Sequence, residues 1–372
     1  MQHAPCFLLS IIVALPACVV PDPLSDLDGS QAAEPEPSIT SPSFGTVAPP
    51  IVFASPTGPD AACGTRNKPC SLVTALALVS PRRGIVEMAP GVYRGALTIQ
   101  NKRVLIRGDG ATLLVPHGSR AGILAEASTV VIEGLTMKRG PVDETLPAIE
   151  CHGGHLGLTD VEIDVPSVAV VLDCTATIMQ SSFTGTRPRT GPALLELSDQ
   201  FSPDRVTITR SRFTGANAIG MGIHGAATIT DSVFAHTGDF AISTGGNAGA
   251  SRMSFSTLVD SPVQATINTA GQPSLTVDNS ILFSDDGVDA TTGTGGLYSY
   301  DVMAPVAGAD HVIDTDPMLV DVANGDFHLA AGSPAIDAAD PDTTLALDFD
   351  GVARPAGAAR DIGAFESQWD LR

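Results

Sequence analysis

Four ionisable residues recur at comparable places along the chain: Glu150, Asp173, Glu196 and His224. Each directly follows an apolar residue in a short strand-like segment, as in Ile149-Glu150, Leu172-Asp173, Leu195-Glu196 and Ile223-His224. Ser243 and Asn268 follow Ile242 and Ile267 in the same way. Neighbouring side chains of a strand point to opposite faces, so burying the apolar member exposes its successor. If the segments stack, these successors form one outward column with a step of about 4.8 Å. Stacked carboxylates repel, which raises one pKa or recruits a cation. Adjacent carboxyls about 5 Å apart suit retaining glycoside hydrolysis, and pairs two steps apart, about 9–10 Å, approach the inverting separation. One acid would protonate the leaving oxygen while another served as nucleophile or base. Two blander readings stand beside catalysis: a solubilising acidic face, and a strip that binds Ca²⁺ or a glycan.

The elements that must position this column repeat. Ile132, Leu158, Ile178, Ile208, Ile229, Met253 and Val277 are spaced by 20 to 30 residues, about 24 on average. Five positions after each comes another apolar residue, Met137, Ile163, Phe183, Phe213, Phe234, Leu258 or Leu282. Three positions after the last five anchors comes a serine: Ser181, Ser211, Ser232, Ser256 or Ser280. A fixed period with irregular insertions marks a stacked repeat. The surrounding segments alternate and are rich in Thr, Ile and Val, as in Val206-Thr207-Ile208-Thr209, which is a strand pattern. Each period holds about three short strands, so the coils are expected to stack as a parallel β-helix. The apolar columns then fill its interior, and the serines form a hydrogen-bonded ladder under a bend. Cys151 and Cys174, 23 residues apart after equivalent strands, fall within disulfide range if the coils stack; two buried free thiols are the alternative.

These repeated Ile, Phe and Ser matches resemble the right-handed β-helix of the pectate-lyase-like superfamily. In enzymes of that superfamily the substrate groove runs along the first strand of each coil, where the Glu150 column lies. The hydrolase motifs of the fold are fragmentary: Gly222-Ile223-His224-Gly225 and Ser284-Asp285-Asp286 are faint echoes, and Arg66-Asn67-Lys68 precedes the coils. Arg210 and Arg212, beside a bend, are expected to pair with surface acids. His152 and His155 fall in a turn without recognisable metal-ligand spacing. The expected fold class is all-β: a right-handed parallel β-helix with a short N-terminal capping helix and an irregular C-terminal cap.

The ends of the chain point to export. Phe7–Leu15 is an apolar run too short to span a bilayer and suits a secretory signal. Leu15-Pro16-Ala17-Cys18 resembles a bacterial lipobox, which implies cleavage before Cys18 and its lipidation. Residues 1–17 are thus expected as a signal peptide and the Pro-, Ser- and acid-rich residues 18–57 as a tether. Residues 58–283 form the β-helix with its cap, a helix over Ser71–Val79 closing the first coil. Cys63 and Cys70 bracket a short loop and form a second expected disulfide; metal binding lacks CxxC support. Residues 284–372 form a last irregular coil and a tail. The tail segments Asp316-Pro317, Gly332-Ser333-Pro334-Ala335-Ile336-Asp337, Arg354-Pro355 and Asp361-Ile362-Gly363-Ala364-Phe365-Glu366 resemble bacterial surface proteins of the choice-of-anchor Q type. Asp348, Asp350 and Asp361 in this tail offer oxygen ligands for Ca²⁺, although turn formation and an Arg354–Asp361 pair explain them as well.

Net charge is −21 and only Lys68, Lys102 and Lys138 are lysines, which excludes a nucleic-acid footprint and attraction to anionic lipid. Membrane contact would come through Cys18. Aromatic residues make up 5% of the chain and Trp369 is its one tryptophan, leaving few sugar-stacking platforms. The expectation is a monomeric, lipid-anchored envelope or surface protein that contacts glycans without catalysis, needs no cofactor and has Ca²⁺ as a possible ligand. The alternative is a carbohydrate-active enzyme, a glycoside hydrolase or polysaccharide lyase, using Glu150, Asp173, Glu196 and His224.

Overall fold

The computed structural model describes residues 51–367, apart from 117, 140–145, 167, 186–191, 198–204, 222–225, 245–249, 266–270, 285–290, 294 and 305–306. The expected signal peptide and most of the expected tether, with Cys18, lie outside the described residues, as do His224, Asn268 and Trp369. Strands Ile51–Ala54 through Gly296–Ser299 join in one parallel sheet that winds coil upon coil. The expected apolar columns lie in register: Ile163, Phe183, Phe213, Phe234, Leu258 and Leu282 pair successively. Phe183, Phe213 and Phe234 stack with ring centroids 4.8 and 5.1 Å apart and planes within 7°. All three are fully buried.

The bend has a repeated mechanism. One residue per coil adopts a left-handed conformation, with φ between 45° and 55° at Asp160, Gln180, Arg210, Asp231, Phe255, Asn279 and Tyr300. From Ser181 to Ser280 the next residue is the serine of the repeat. Each serine Oγ donates to the carbonyl two residues back, as Ser211 does to Thr209 at 3.1 Å, and accepts an N–H from one coil earlier at 3.2–3.3 Å, that of Val161 for Ser181 and that of the preceding serine for the others. The column ends in Asp301, whose carboxylate accepts the Ser280 N–H at 2.7 Å. A buried ladder of this kind satisfies backbone groups that the bend removes from the strand pairing.

The N-terminal helix spans Leu72–Leu78, capped by Ser71 accepting the Thr74 N–H, and buries Leu72, Ala75 and Leu76. Both expected disulfides are present, Cys63–Cys70 and Cys151–Cys174, and suit an oxidising compartment. No helix among the described residues is long and apolar enough to cross a membrane.

The tail does more than close the end of the solenoid. It makes an antiparallel hairpin, Leu319–Asp321 with Asp326–Leu329, and then runs along the flank of the last coils. Phe327, Ala364 and Phe365 cover Val233, Ala235 and Val259; Leu329, Ala335 and Ile362 cover Phe255, Ile281 and Val302. Here the strands Val233–Ala235 and Thr257–Val259 are buried on both faces, whereas Ser182–Gly185 alternates. The binding thread of this contact is Arg354. Its guanidinium is fully buried and pairs with Asp231 at 3.0 Å and Glu366 at 2.7 Å. The expected Arg354–Asp361 ion pair does not form: Arg354 meets only the Asp361 backbone carbonyl, at 3.2 Å. Asp361 instead accepts the Asp337 and Ser367 N–H groups.

Candidate functional site

The first strand of each coil builds the face on which the acidic column was expected. Its inward positions are Leu97, Ile123, Ile149, Val170, Leu195, Ile219, Ile242 and Val263. The expected alignment through Leu172, Ile223 and Ile267 is therefore corrected. Val170 rather than Leu172 stacks on Ile149, and Ile219 and Val263 take the later places. Coil insertions of uneven length permit shifts by an even number of residues, two at the place expected for Leu172 and four at those expected for Ile223 and Ile267, and an even shift keeps Asp173 on its expected face. The outward column through Glu150 becomes Thr98, Leu124, Glu150, Val171, Glu196, Gly220, Ser243 and Gln264. Asp173 moves one outward place along the strand, where it pairs with His152.

That shift assembles a network. Arg120, from the loop before the strand Ile123–Lys138, grips Glu150 with two hydrogen bonds, Nε to Oε2 at 2.8 Å and Nη2 to Oε1 at 2.9 Å. His152 Nε2 lies 2.9 Å from Glu150 Oε1, and its Nδ1 lies 3.4 Å from Asp173 Oδ2. Arg120 Nη2 also approaches His152 Nε2 at 3.2 Å. The ring's Nδ1 faces Asp173, and its Nε2 faces both Glu150 Oε1 and Arg120 Nη2; which group donates follows the tautomer. Asp173 thus helps to orient the ring, on a face where the His152 side chain is 31% exposed. Beside the network, in the same outward row as His152, Gln100 donates to Glu126.

The two glutamates of the column have opposite environments. Burial pushes the Glu150 carboxyl up, but hydrogen bonds from Arg120 and His152 outweigh it and hold the group below the ordinary carboxylate range. Burial pushes Glu196 up, and the single Ala193 N–H bond, at 2.5 Å, only partly offsets it. Glu196 lies against Gly220, where a Cβ would meet its Oε2 at 2.7 Å. The two residues flank Val171, two strand spacings apart, so their backbones are separated by about 9–10 Å. The two environments thus shift the carboxyls in opposite directions, Glu150 downward and Glu196 upward.

Arg120 and His152 were not in the expected set. His152 shares the outward parity of Glu150, a signal the sequence carries; Arg120 sits in a loop with no pattern. Glu150 and Asp173 are brought together through His152, Glu196 shares their face, and His224 is outside the described residues. The tail acids have other partners. Asp348 accepts the Val352 and Glu366 N–H groups, and Asp350 meets His328 Nε2 at 2.7 Å. Among the described residues no group of three His, Cys, Asp or Glu side chains is arranged to hold a metal ion. Arg212 does not pair with an acid at the surface: it lies half-buried over the Phe327 and Phe349 rings, at 5.6 and 5.7 Å.

No protein-family model matches the chain, and no curated protein matches it in sequence. Solved structures do. Pectate lyase Pel9A aligns at TM-score 0.55 and 15% identity, over 87% of this chain and 97% of its own. XylC, solved with xylose, aligns at TM-score 0.44 and 8% identity over 85% and 98%. The fold is that of a pectate-lyase-like parallel β-helix.

Proposed function

We propose that the protein is an extracytoplasmic β-helix that contacts carbohydrate through the first-strand face, around Arg120, Glu150, His152 and Asp173. The observation that carries this reading is the hydrogen-bonded network on the outward face of the first strands. It presents carboxylate, imidazole and guanidinium groups at fixed positions, the kind of polar set that recognises hydroxyls. The likeness to a pectate lyase supports a carbohydrate ligand, and the disulfides support export. Attachment through a lipidated Cys18 and the Pro-rich tether would hold this face away from a membrane. A glycan array tests the reading: wild type should retain a defined glycan, and Glu150→Gln with His152→Ala should lose it. Retention unchanged in both variants would refute the site.

One observation favours a second reading, hydrolysis. The Glu150 carboxyl, held below the ordinary range, and the Glu196 carboxyl, pushed above it, stand on strands about 9–10 Å apart, near the separation of an inverting pair. Glu150 would act as base toward water and Glu196 as acid toward the leaving oxygen. Release of reducing sugar from the retained glycan, abolished by Glu196→Gln, would establish it; retention without any release leaves the contact role.

A further inference from the structure

Near the N-terminal helix a positive island interrupts this acidic protein. Arg82, Arg83, Lys102 and Arg103 line one open cleft of about 570 Å³, together with Thr129 and Gly154. The chain has 41 acidic residues against 20 Lys and Arg, yet no Asp or Glu lines the cleft. An even spread of charge would have placed about two acids there for every base.

The cleft is built rather than incidental. Its floor is the stacked first turns of three coils, where Asn101, Ala127 and Gly154 have φ of 54°, 47° and 92°. A Cβ on Gly154 would meet the Ser128 carbonyl oxygen at 2.1 Å, so the turns approach too closely for any other residue there. One wall is tied down by the Arg103 N–H, which donates to the Pro81 carbonyl at 3.0 Å. Lys102 Nζ donates to the Leu76 and Val79 carbonyls at the end of the helix, at 2.5 and 3.3 Å, which fixes its position. Arg82 and Arg103 are exposed and hold no ion pair among the described residues.

We infer that this cleft binds a phosphate group carried on a saccharide. The exposed guanidinium forks of Arg82 and Arg103, with the Lys102 ammonium beside them, exceed what a carboxylate monoanion neutralises. A phosphate monoester brings a charge of about −1.5 to −2 and three acceptor oxygens matched to such forks. The volume exceeds that of phosphate alone and falls in the range of small-ligand sites, about 300–1,000 Å³, leaving room for a sugar beside the Thr129 hydroxyl. An anionic membrane is the poorer occupant, because the −21 net charge repels its surface.

Calorimetric titration of the full chain tests the inference, with glucose 6-phosphate, glucose, inorganic phosphate and phosphatidylglycerol vesicles as probes. Glucose 6-phosphate should bind more tightly than inorganic phosphate, and glucose should not bind. Arg82→Ala/Arg103→Ala should weaken it by at least about tenfold, with an unchanged melting temperature because both side chains are exposed. Arg103→Glu should do the same, and Lys68→Ala, an exposed cation that does not line the cleft, should leave the affinity as it is. Equal binding of inorganic phosphate would overturn the sugar part. Binding to vesicles alone, or no difference between wild type and the arginine variants, would overturn the inference.

Discussion

Replacing Arg354 with methionine should detach the tail from the solenoid. The guanidinium is fully buried and joins two carboxylates that are also fully buried, Asp231 in a coil turn and Glu366 in the tail. It further donates to the Gly363 carbonyl at 2.8 Å and lies 4.6 Å from the centre of the Phe255 ring. Methionine fills much of the volume but leaves two carboxylates in the interior without their cation. Breaking a buried pair from one side costs about 3–5 kcal/mol, mostly as the burial of uncompensated charge. Against a usual total of about 5–15 kcal/mol, that is a large loss. Urea denaturation should show it as a lowered midpoint, and limited proteolysis as early cleavage within residues 319–367. The cause is separable by a double-mutant cycle. Asp231→Asn keeps a residue that tolerates the left-handed turn, so in the Arg354→Met background it should cost at least about 1.5 kcal/mol less than in wild type. Additive losses, or a single loss under about 1 kcal/mol, would refute the claim that charge pairing fixes the tail.

Two further outcomes follow from the packing and the tail. Phe213→Ala removes the middle ring of the Phe183–Phe213–Phe234 stack and should cost about 3–5 kcal/mol in denaturant unfolding. A loss near 1 kcal/mol would mean that the column collapses easily around the cavity. His328 bridges Asp326 and Asp350, at 2.5 and 2.7 Å; burial lowers its pKa, but the two carboxylates outweigh that and raise it. Its folded pKa lies above the unfolded value of about 6.5, so its contribution is complete below that pH and is lost as pH rises through the folded pKa. The urea midpoint of wild type should therefore fall relative to His328→Gln on going from about pH 5.5 to about pH 8.5; parallel pH profiles would refute the bridge.

The interior of the solenoid was legible because its columns repeat residue types. Phe183, Phe213 and Phe234 announce themselves by one spacing from one anchor, and the serines by another, so the stack and ladder could be drawn before any coordinate. The outward face was only half legible. Period-two alternation fixes which face a side chain takes but is unchanged by a shift of two residues. Glu150, Asp173 and Glu196 were therefore placed on the correct face, with Asp173 one place from where it sits. That displacement gives Asp173 to His152 and turns a plain acidic stripe into a network. Arg354 was given the wrong partner, Asp361, for a different reason: its true partner Asp231 is 123 residues away, and no periodic pattern links a tail loop to a coil turn.

The division of the surface follows from the same asymmetry. Val233, Val259 and Ile281 are apolar at outward positions of the later coils, and they are buried only because the tail lies over them. Without that cover the flank would be a continuous hydrophobic strip, a site for association rather than for polar recognition. The tail thus closes this flank to ligands. The first-strand face has polar or small residues at most of its outward positions, from Thr98 through Glu150 and Glu196 to Gln264, and the ladder bonds of its backbone are already made. A ligand arriving there competes with water for side chains, not for strand edges. On the proposed reading recognition comes from the few side chains already fixed by one another, and Arg120, Glu150, His152 and Asp173 are linked by contacts of 2.8–3.4 Å.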